Sequence, residues 1–274
     1  MDALEPALAN KYADLRRILA QTGGVAVCFS GGVDSALLLS VAHDVLGERC
    51  AAVTVTAPFM ARAEFDDATR FCKERGIRHE LVRIESIKCI ERFVENPPDR
   101  CYHCKRALLG RVGDKARELG LVCVAEGSNT SDEGDWRPGL RAVAELGVRS
   151  PLREAGLSKA DVRAISRWLG LPTWDKPSAA CLASRIPYGQ CIDERTLSLV
   201  DAAEAYLHGL GFVQCRVRVH GEEKPLARVE VPAGDIARAA QLADDMSAQL
   251  RQLGFAYVTL DLQGFRSGSM NEVL

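Results

Sequence analysis

Apolar runs and amphipathic segments alternate along the first half of the chain. Short runs rich in β-branched residues predict strands, and apolar residues at helical spacing between them predict helices. Strands are predicted at Val25–Ser30, Ala51–Thr56, His79–Ile84 and Leu121–Glu126, and helices at Asp34–Leu46, Ala61–Arg75 and Lys105–Leu119. This alternation is typical of an α/β fold, in which helices cover both faces of a parallel sheet. Ligands of such folds bind at the carboxyl ends of the strands.

The pattern changes in a segment rich in proline and glycine, residues 172–189, which is typical of a loop or linker. Beyond it, the periodicity predicts a helix, two strands, a second helix and a last strand. They are Glu194–Leu210, Val213–His220, Leu226–Val231, Asp235–Leu253 and Ala256–Leu262. This αββαβ order favours a smaller α+β domain. The predicted domains are therefore residues 1–176 and 177–274.

Composition and charge exclude several classes of protein. Of the 274 residues, 47% are hydrophobic and 26% are charged, which is typical of a folded protein with a core. The formal net charge of −2 gives no support to a nucleic-acid partner. No apolar run approaches the ~20 residues of a membrane span, and the N-terminus lacks the apolar core of a signal peptide. A cytoplasmic protein without a membrane partner is expected.

Ten cysteines are too few for a disulfide scaffold in a chain of this length. In a cytosolic protein, such cysteines are buried hydrophobes, metal ligands or reactive thiols. Cys101 and Cys104 form a C-x-x-C pair, which is compatible with a zinc knuckle, a redox pair or part of a larger metal site. Cys181 and Cys191 lie in or next to the linker. Packing roles are expected for the cysteines in predicted strands and helices, namely Cys28, Cys50, Cys72, Cys123 and Cys215, while Cys89 lies in an irregular segment.

The sharpest motif lies between the first predicted strand and helix. It reads Ser30-Gly31-Gly32-Val33-Asp34-Ser35. Adjacent glycines allow a tight turn and a close approach to a ligand, and the amides at a helix start favour an anion. Ser30 and Ser35 add hydroxyl donors. The motif lacks the lysine of the Walker A loop, so a kinase or GTPase loop is excluded. The alternative is a plain glycine-rich turn capped by Asp34.

Two further pairs of polar residues are candidates for ligand binding. Ser128 and Asp132 follow the fourth predicted strand at the edge where ligands bind, which fits nucleotide or magnesium binding as well as an Asx-type turn. Arg216 and Arg218 are two positions apart on a predicted strand and therefore point to the same face. A paired arginine face suits a phosphate, and the alternative is a solvated strand face.

The hexapeptide resembles the PP-loop of the ATP pyrophosphatase superfamily, and the chain as a whole resembles the LarE family of ATP-dependent sulfur transferases. Besides Ser30–Ser35, the resemblance rests on four segments that together cover most of the chain. They are Asn96-Pro97-Pro98-Asp99-Arg100-Cys101-Tyr102-His103-Cys104-Lys105, Glu126-Gly127-Ser128-Asn129 through Asp132 to Trp136-Arg137-Pro138-Gly139, Ala180-Cys181-Leu182-Ala183-Ser184-Arg185-Ile186-Pro187-Tyr188-Gly189, and Gly264-Phe265-Arg266-Ser267-Gly268-Ser269-Met270-Asn271.

The resemblance implies an adenine nucleotide alpha-hydrolase-like fold and an enzyme of nickel-pincer cofactor biosynthesis. Its substrate would be pyridinium-3,5-biscarboxylic acid mononucleotide, of which one carboxylate is adenylated by ATP with Mg²⁺ and then converted to a thiocarboxylate. In the family, the positions of Arg216 and Arg218 bind the substrate phosphate. Ser184 and Arg185 are expected to line the site, Glu204 and Glu230 match acidic positions near it, and homo-oligomers are common.

The sulfur source is left open between several alternatives. Three thiolates from Cys101, Cys104 and Cys181 would suit a 4Fe-4S cluster with one open iron that carries an exogenous sulfide. Cys191 is a possible fourth ligand, which would close that iron. Other family members donate the sulfur of one cysteine and lack the C-x-x-C. That sacrificial position aligns with Ala180 rather than Cys181, which favours the cluster. The alternative sulfur source is Cys181 itself. Two alternatives for the function of the whole protein are also open, namely a nucleotide-binding regulator with a structural zinc and a tRNA thiolase.

Overall fold

The computed structural model of the chain describes residues 4–132, 138–177, 180–266 and 268–272. These residues form two compact units. The first consists of Met1–Ala57, Arg62–Ile84 and Cys101–Ser178, and the second of Pro58–Ala61, Glu85–Arg100 and Ala179–Leu274. The segments 133–137, 178–179 and 267, which include Trp136, Arg137 and Ser267 of the sequence motifs, lie outside the described residues.

The first unit alternates strands and helices, as the apolar pattern predicts. Its strands are β1 (Val25–Cys28), β2 (Cys50–Thr56), β3 (Arg78–Arg83) and β4 (Cys123–Ala125). Its helices are α1 (Pro6–Ala20), α2 (Val33–Leu46), α3 (Arg62–Glu74), α4 (Arg100–Glu118, whose first residue belongs to the second unit), α5 (Gly139–Glu145), α6 (Pro151–Glu154) and α7 (Lys159–Trp168). The prediction of an α/β fold is confirmed.

The strands of the first unit form a parallel sheet in the order β3-β2-β1-β4 within the described residues. The central strand β1 is buried on both faces, with Val25, Ala26 and Val27 inaccessible to solvent. Helix α2 is apolar around most of its circumference because it is packed inside the unit, with Leu37, Leu38 and Leu39 also inaccessible. The core therefore lies around β1 and α2, directly below the loop that joins them.

The parallel pairing fixes where the loops of the first unit lie. Val25 of β1 is in register with Cys123 of β4, and Val27 is in register with Ala125. Because both strands run in the same direction, the segment after β1 and the segment after β4 leave the sheet at the same edge. The glycine-rich motif and the motif beginning at Glu126 are these two segments.

The second unit contains a smaller mixed sheet, which confirms the predicted αββαβ order. Its elements are α8 (Glu194–Gly209), β5 (Arg216–His220), β6 (Leu226–Glu230), α9 (Ile236–Gln241), α10 (Ala243–Leu253) and β7 (Tyr257–Leu260). In the order β5-β6-β7, the first pair is antiparallel and the second is parallel. The single helix predicted over 235–253 is instead two helices, because the chain leaves helical geometry at Leu242.

The core of the second unit lies between α8 and the sheet. Buried apolar residues repeat along α8 at helical spacing, and alternate residues of the strands face them. The residues of this core include Leu197, Val200, Ala203, Leu207, Val217, Val219, Ala227, Val229 and Leu250. In the described parts of the chain, no helix is both long and apolar enough to span a lipid bilayer.

The buried strand β1 is expected to dominate the stability of the first unit. Replacing Val27→Ala removes two methyl groups from a side chain with 0% exposure. The free energy of unfolding is expected to fall by about 2 kcal/mol. The matched control is Val122→Ala, at a residue 91% exposed, where the change should stay within about 0.5 kcal/mol. Urea unfolding measures both variants, and equal effects would contradict the assigned core.

Candidate functional site

The glycine-rich loop joins β1 to α2 and is built to accept an anion. Gly31 has a φ of 73°, in the left-handed region that glycine adopts without strain. Gly32 caps α2 without any side chain, so the amides and the positive dipole end of the helix face the loop. The Ser30 and Ser35 hydroxyls are 3.1 Å apart, and the Ser35 hydroxyl donates to the Gly32 carbonyl at 3.2 Å. The loop thus presents amide and hydroxyl donors together.

Two lysines distant in sequence supply positive charge at this loop. Lys176 Nζ donates to the carbonyl of Gly31 at 3.2 Å and to Asp67 Oδ2 at 2.9 Å. Lys159 forms an ion pair with Asp34, whose other carboxylate oxygen accepts from Asn129 Nδ2 at 3.0 Å. The sequence motif contains no lysine, so local pattern reasoning misses both residues.

Local structure explains why these lysines are held in place. Lys159 is the first residue of α7, whose start is fixed by a reciprocal capping box between Ser158 and Asp161. Lys176 follows a turn in which its amide donates to the Thr173 carbonyl at 3.1 Å, and the Arg163 guanidinium donates to the carbonyls of Trp174 and Lys176, both at 2.8 Å. The backbone that carries each lysine is therefore itself fixed by hydrogen bonds.

The segment after β4 packs directly against the glycine-rich loop. A β-carbon on Gly127 would lie 3.0 Å from the amide nitrogen of Ser35 and 3.2 Å from the Asp34 side chain. A larger residue would have to push the loop away by a few tenths of an ångström, so glycine favours this close approach. It places Ser128 and Asp132 next to the loop, where Asp132 accepts from the Asn129 amide at 2.9 Å. The Asx-type turn in this segment is made instead by Asn129, whose Oδ1 accepts from the Ser131 amide at 2.9 Å. Nucleotide or magnesium binding by Ser128 and Asp132 stays a prediction.

A buried carboxylate organises this edge of the sheet. Glu126 accepts hydrogen bonds from Lys105 Nζ at 2.8 Å, Ser128 Oγ at 2.9 Å and Ser150 Oγ at 2.6 Å. Burial by itself would raise the pKa of Glu126, but the charge of Lys105 and these hydrogen bonds outweigh burial and lower the pKa below its usual value. Glu126 is therefore ionised at neutral pH and ties Lys105 on α4 to the end of β4.

The C-x-x-C pair lies in the first turn of α4, immediately before Lys105. Cys101 and Cys104 are three positions apart and so share a helix face, with Cys101 exposed and Cys104 half-buried. Thiolates in this arrangement are suitable metal ligands. Among the described residues, no group of three or more His, Cys, Asp or Glu side chains is assembled to hold a metal ion.

In the second unit, Arg185 holds the backbone around Cys181. Its guanidinium forms a two-pronged ion pair with Glu204, at 2.9 and 2.7 Å, and both side chains are buried. The remaining nitrogen donates to the carbonyl oxygens of Ala180 and Cys181 and to Ser184 Oγ. Arg185 is therefore largely occupied by protein acceptors.

Arg216 and Arg218 lie on β5, and both are buried. Arg218 donates to Glu230 Oε2 at 2.8 Å, Ser269 Oγ at 3.1 Å and the Ser184 carbonyl at 3.0 Å, while its Nε has no hydrogen-bond partner. Arg216 lies over the ring of Phe265, 5.2 Å from its centre. The arginine pair thus faces the interior and not solvent.

The charges around this pair favour an anionic ligand. Burial, and then the neighbouring charge of Arg185, lower the pKa of Arg216 from its usual value, although Glu204 opposes them. Arg185 and Arg218 have glutamate partners at salt-bridge distance, and Arg216 donates to the Cys215 carbonyl at 2.6 Å. Two neighbouring buried guanidinium groups are a donor set that suits a phosphate.

The remaining cysteines divide by environment. Burial raises the pKa of the Cys28 thiol to about 11 and of the Cys50, Cys72 and Cys215 thiols to about 12. These thiols stay protonated at neutral pH and are poor nucleophiles and metal ligands, in keeping with packing roles. Cys191 is exposed in the second unit, and its part in any metal site stays a prediction.

Comparisons with known proteins cover both units. A family model described as NAD synthase matches residues 11–100, which include the glycine-rich loop. The chain is 40% identical to the pyridinium-3,5-bisthiocarboxylic acid mononucleotide synthase of Lactiplantibacillus plantarum, over 97% of this chain and 96% of that protein. It is 42% identical to an uncharacterized protein of Synechocystis sp., over 97% and 99%. A tRNA-specific 2-thiouridylase of Caulobacter sp. is 29% identical over 62% of this chain and 51% of that protein.

The buried carboxylate gives a pH-dependent test of the site. Replacing Glu126→Gln is expected to lower the free energy of unfolding at neutral pH by about 1–3 kcal/mol, because buried donors lose their charged acceptor. The folded state lowers the pKa of Glu126, so its stabilisation is complete above the unfolded value of 4.5 and is lost as the pH falls through the folded pKa.

The stability difference between wild type and Glu126→Gln should therefore shrink below pH 4.5. Urea unfolding at a series of pH values measures it. The surface variant Glu48→Gln serves as the control and should differ little from wild type at neutral pH. A difference for Glu126→Gln that stays constant down to about pH 3 would contradict the assigned role of the carboxylate.

Proposed function

The chain belongs to the LarE family of ATP-dependent sulfur transferases, and we propose that it converts pyridinium-3,5-biscarboxylic acid mononucleotide to a thiocarboxylate, with release of AMP and pyrophosphate. The observation that carries the proposal is the similarity to the L. plantarum synthase over nearly the full length of both chains. The PP-loop of the first unit and the buried arginine pair of the second unit support it. Its expected place is in nickel-pincer cofactor biosynthesis in the cytoplasm.

In the proposed reaction, the first unit binds ATP and activates the substrate. The triphosphate, with Mg²⁺, lies on Ser30–Ser35, where loop amides and the α2 dipole favour the anion. The substrate carboxylate attacks the α-phosphorus, so that pyrophosphate leaves and an acyl adenylate forms. Lys176 supplies the positive charge that a Walker A lysine supplies elsewhere and stabilises the departing pyrophosphate. Ser128 and Asp132 complete the nucleotide site.

The second unit binds the mononucleotide substrate in this proposal. Its phosphate binds Arg216 and Arg218, since a buried arginine pair with an unpartnered Nε suits a multivalent anion. Glu230 and Ser269 hold Arg218 in place, and Glu204 holds Arg185. Ser184, which contacts both Arg185 and Arg218, lines the same cluster.

For the sulfur source, we propose a 4Fe-4S cluster held by Cys101, Cys104 and Cys181. The donor chemistry fits, because iron–sulfur clusters take thiolate ligands and the first two thiols share one helix face. When bound, such a cluster would supply sulfide as the nucleophile. Arg185 orients the Cys181 backbone through its carbonyl. The alternative is donation of the Cys181 sulfur itself, and Cys191 as a fourth ligand would close the open iron.

A tRNA thiolase is the second candidate function. The similarity to the Caulobacter 2-thiouridylase favours it, but that similarity covers about half of that protein. The net charge of −2 gives no support to an RNA partner. Bound tRNA in the purified protein would support this candidate against the mononucleotide substrate.

Replacing Lys176→Met tests the activation step. With ATP, Mg²⁺ and the biscarboxylic acid mononucleotide, wild type should release AMP and pyrophosphate in equal amounts. The variant should lose about 100-fold in kcat/KM for ATP, because a cation at the leaving group is removed. Lys73→Met, an exposed lysine on α3, is the matched control and should retain activity. Unchanged kinetics in Lys176→Met would exclude the proposed role of that lysine.

Metal and sulfide analysis of anaerobically reconstituted protein tests the sulfur source. Wild type should bind about four irons and about four sulfides per chain and show a broad brown absorbance. Cys101→Ser should bind much less, whereas Cys89→Ser, at another exposed cysteine, should match wild type. Colourless wild type with stoichiometric zinc would refute the cluster. Loss of one H₂S from the Cys181 peptide after turnover would instead establish Cys181 as the donor.

A further inference from the structure

Asn96 is held in an unusual conformation in the interior of the second unit. It has 0% exposure and a φ of 53°, in the left-handed region. Asparagine tolerates this region better than other residues with a β-carbon, but the conformation still has a cost. It persists only where the surrounding contacts determine it. Proline follows directly at 97 and 98, so the segment cannot relax into a helix at this point.

The side-chain amide of Asn96 binds three backbone carbonyls of one loop. Its Nδ2 donates to Ile186 O at 3.3 Å, Pro187 O at 2.7 Å and Gln190 O at 3.1 Å. The carbonyl of Asn96 in turn accepts from the Gly189 amide at 3.0 Å. A single buried residue therefore satisfies three carbonyls and one amide of residues 186–190 and ties this loop to its own segment.

Arg100 closes this arrangement from the other side. Its guanidinium donates to Asn96 Oδ1 and lies 4.6 Å from the centre of the Tyr188 ring. Three carbonyls at one end of the amide and an arginine at the other fix which end is oxygen and which is nitrogen. We refer to Asn96, Arg100, Tyr188 and the backbone of 186–190 as the Asn96 clasp.

The clasped loop is continuous with the segment that contains Cys181. On the amino-terminal side, the Leu182 amide donates to Phe59 O at 2.9 Å, and Arg185 holds the Cys181 carbonyl. On the carboxyl-terminal side, the Ile192 amide donates to Val94 O at 2.9 Å. Cys181 and Cys191 therefore lie at the two ends of a backbone that the Asn96 clasp fixes in its middle.

We propose that Asn96 is a positioning residue for sulfur transfer, which holds the 181–191 backbone in the one conformation that presents its cysteines productively. The inference rests on the proposed function and applies whether Cys181 holds a cluster or donates its own sulfur. Asn96 touches neither reactant. Its role is to keep sulfur delivery faster than attack of water on the acyl adenylate, since small displacements of a reacting group slow its reaction steeply.

The variant Asn96→Gly tests the clasp. Glycine accepts the positive φ and removes only the side-chain amide. AMP release should stay within about twofold of wild type, while sulfur-containing product per AMP should fall by about tenfold or more, as water takes the acyl adenylate. The matched control is Asn10→Gly on the exposed face of α1, which should keep the wild-type ratio. An unchanged ratio in Asn96→Gly, or an equal fall in Asn10→Gly, overturns the inference.

Hydrogen exchange supplies a readout that is independent of activity. In Asn96→Gly, the amides of Gly189 and Ile192 should exchange about tenfold faster or more, whereas the exchange of β1 should match wild type. Unchanged exchange would show that the amide does not hold the loop. Should Asn96→Gly not fold, Tyr188→Leu loosens the clasp through Arg100 and is measured in the same way. If the wild-type protein forms neither AMP nor thiocarboxylate, the proposed function is refuted. The hydrogen-exchange rates then still show whether the Asn96 clasp holds the loop.

Discussion

The parallel pairing of β1 with β4 is the constraint on which the first unit depends. It brings two loops to one edge of the sheet, and Gly127 lets them approach until a β-carbon would touch the Ser35 amide. Once they are in contact, Asn129 can reach Asp34, and Glu126 can tie α4 to the same edge. The glycine-rich loop and the C-x-x-C helix are both positioned from this one pairing.

The second unit buries several arginine side chains, and burying these cations has an energetic cost. Its buried arginines Arg185 and Arg218 have glutamate partners, and Arg218 is further held by Ser269. Ion pairs of this kind add little net stability, because desolvation offsets most of their attraction. Their effect here is geometric, because they fix the orientation of the Arg185 and Arg218 guanidinium groups.

Much of the fold was predictable from sequence because its signals are local. The strand–loop–helix around Ser30–Ser35 and the two-residue spacing of Arg216 and Arg218 gave their positions directly, although the spacing did not distinguish a buried face from a solvated one. The lysines were not predictable, because Lys159 and Lys176 reach the loop across 125 and 145 residues of chain. Apolar periodicity also reports only on local structure, so it did not assign residues 85–100 to the second unit.

The interleaving of the two units has a consequence for how the molecule can be divided. The second unit takes Pro58–Ala61 and Glu85–Arg100 from within the sequence of the first. A gene fragment that begins near residue 177 would encode the arginine cluster but omit Asn96, Arg100 and the Phe59 carbonyl that binds the Leu182 amide. No single cut in the chain yields both units whole. The two units therefore cannot be exchanged as separate modules by a single crossover in the gene.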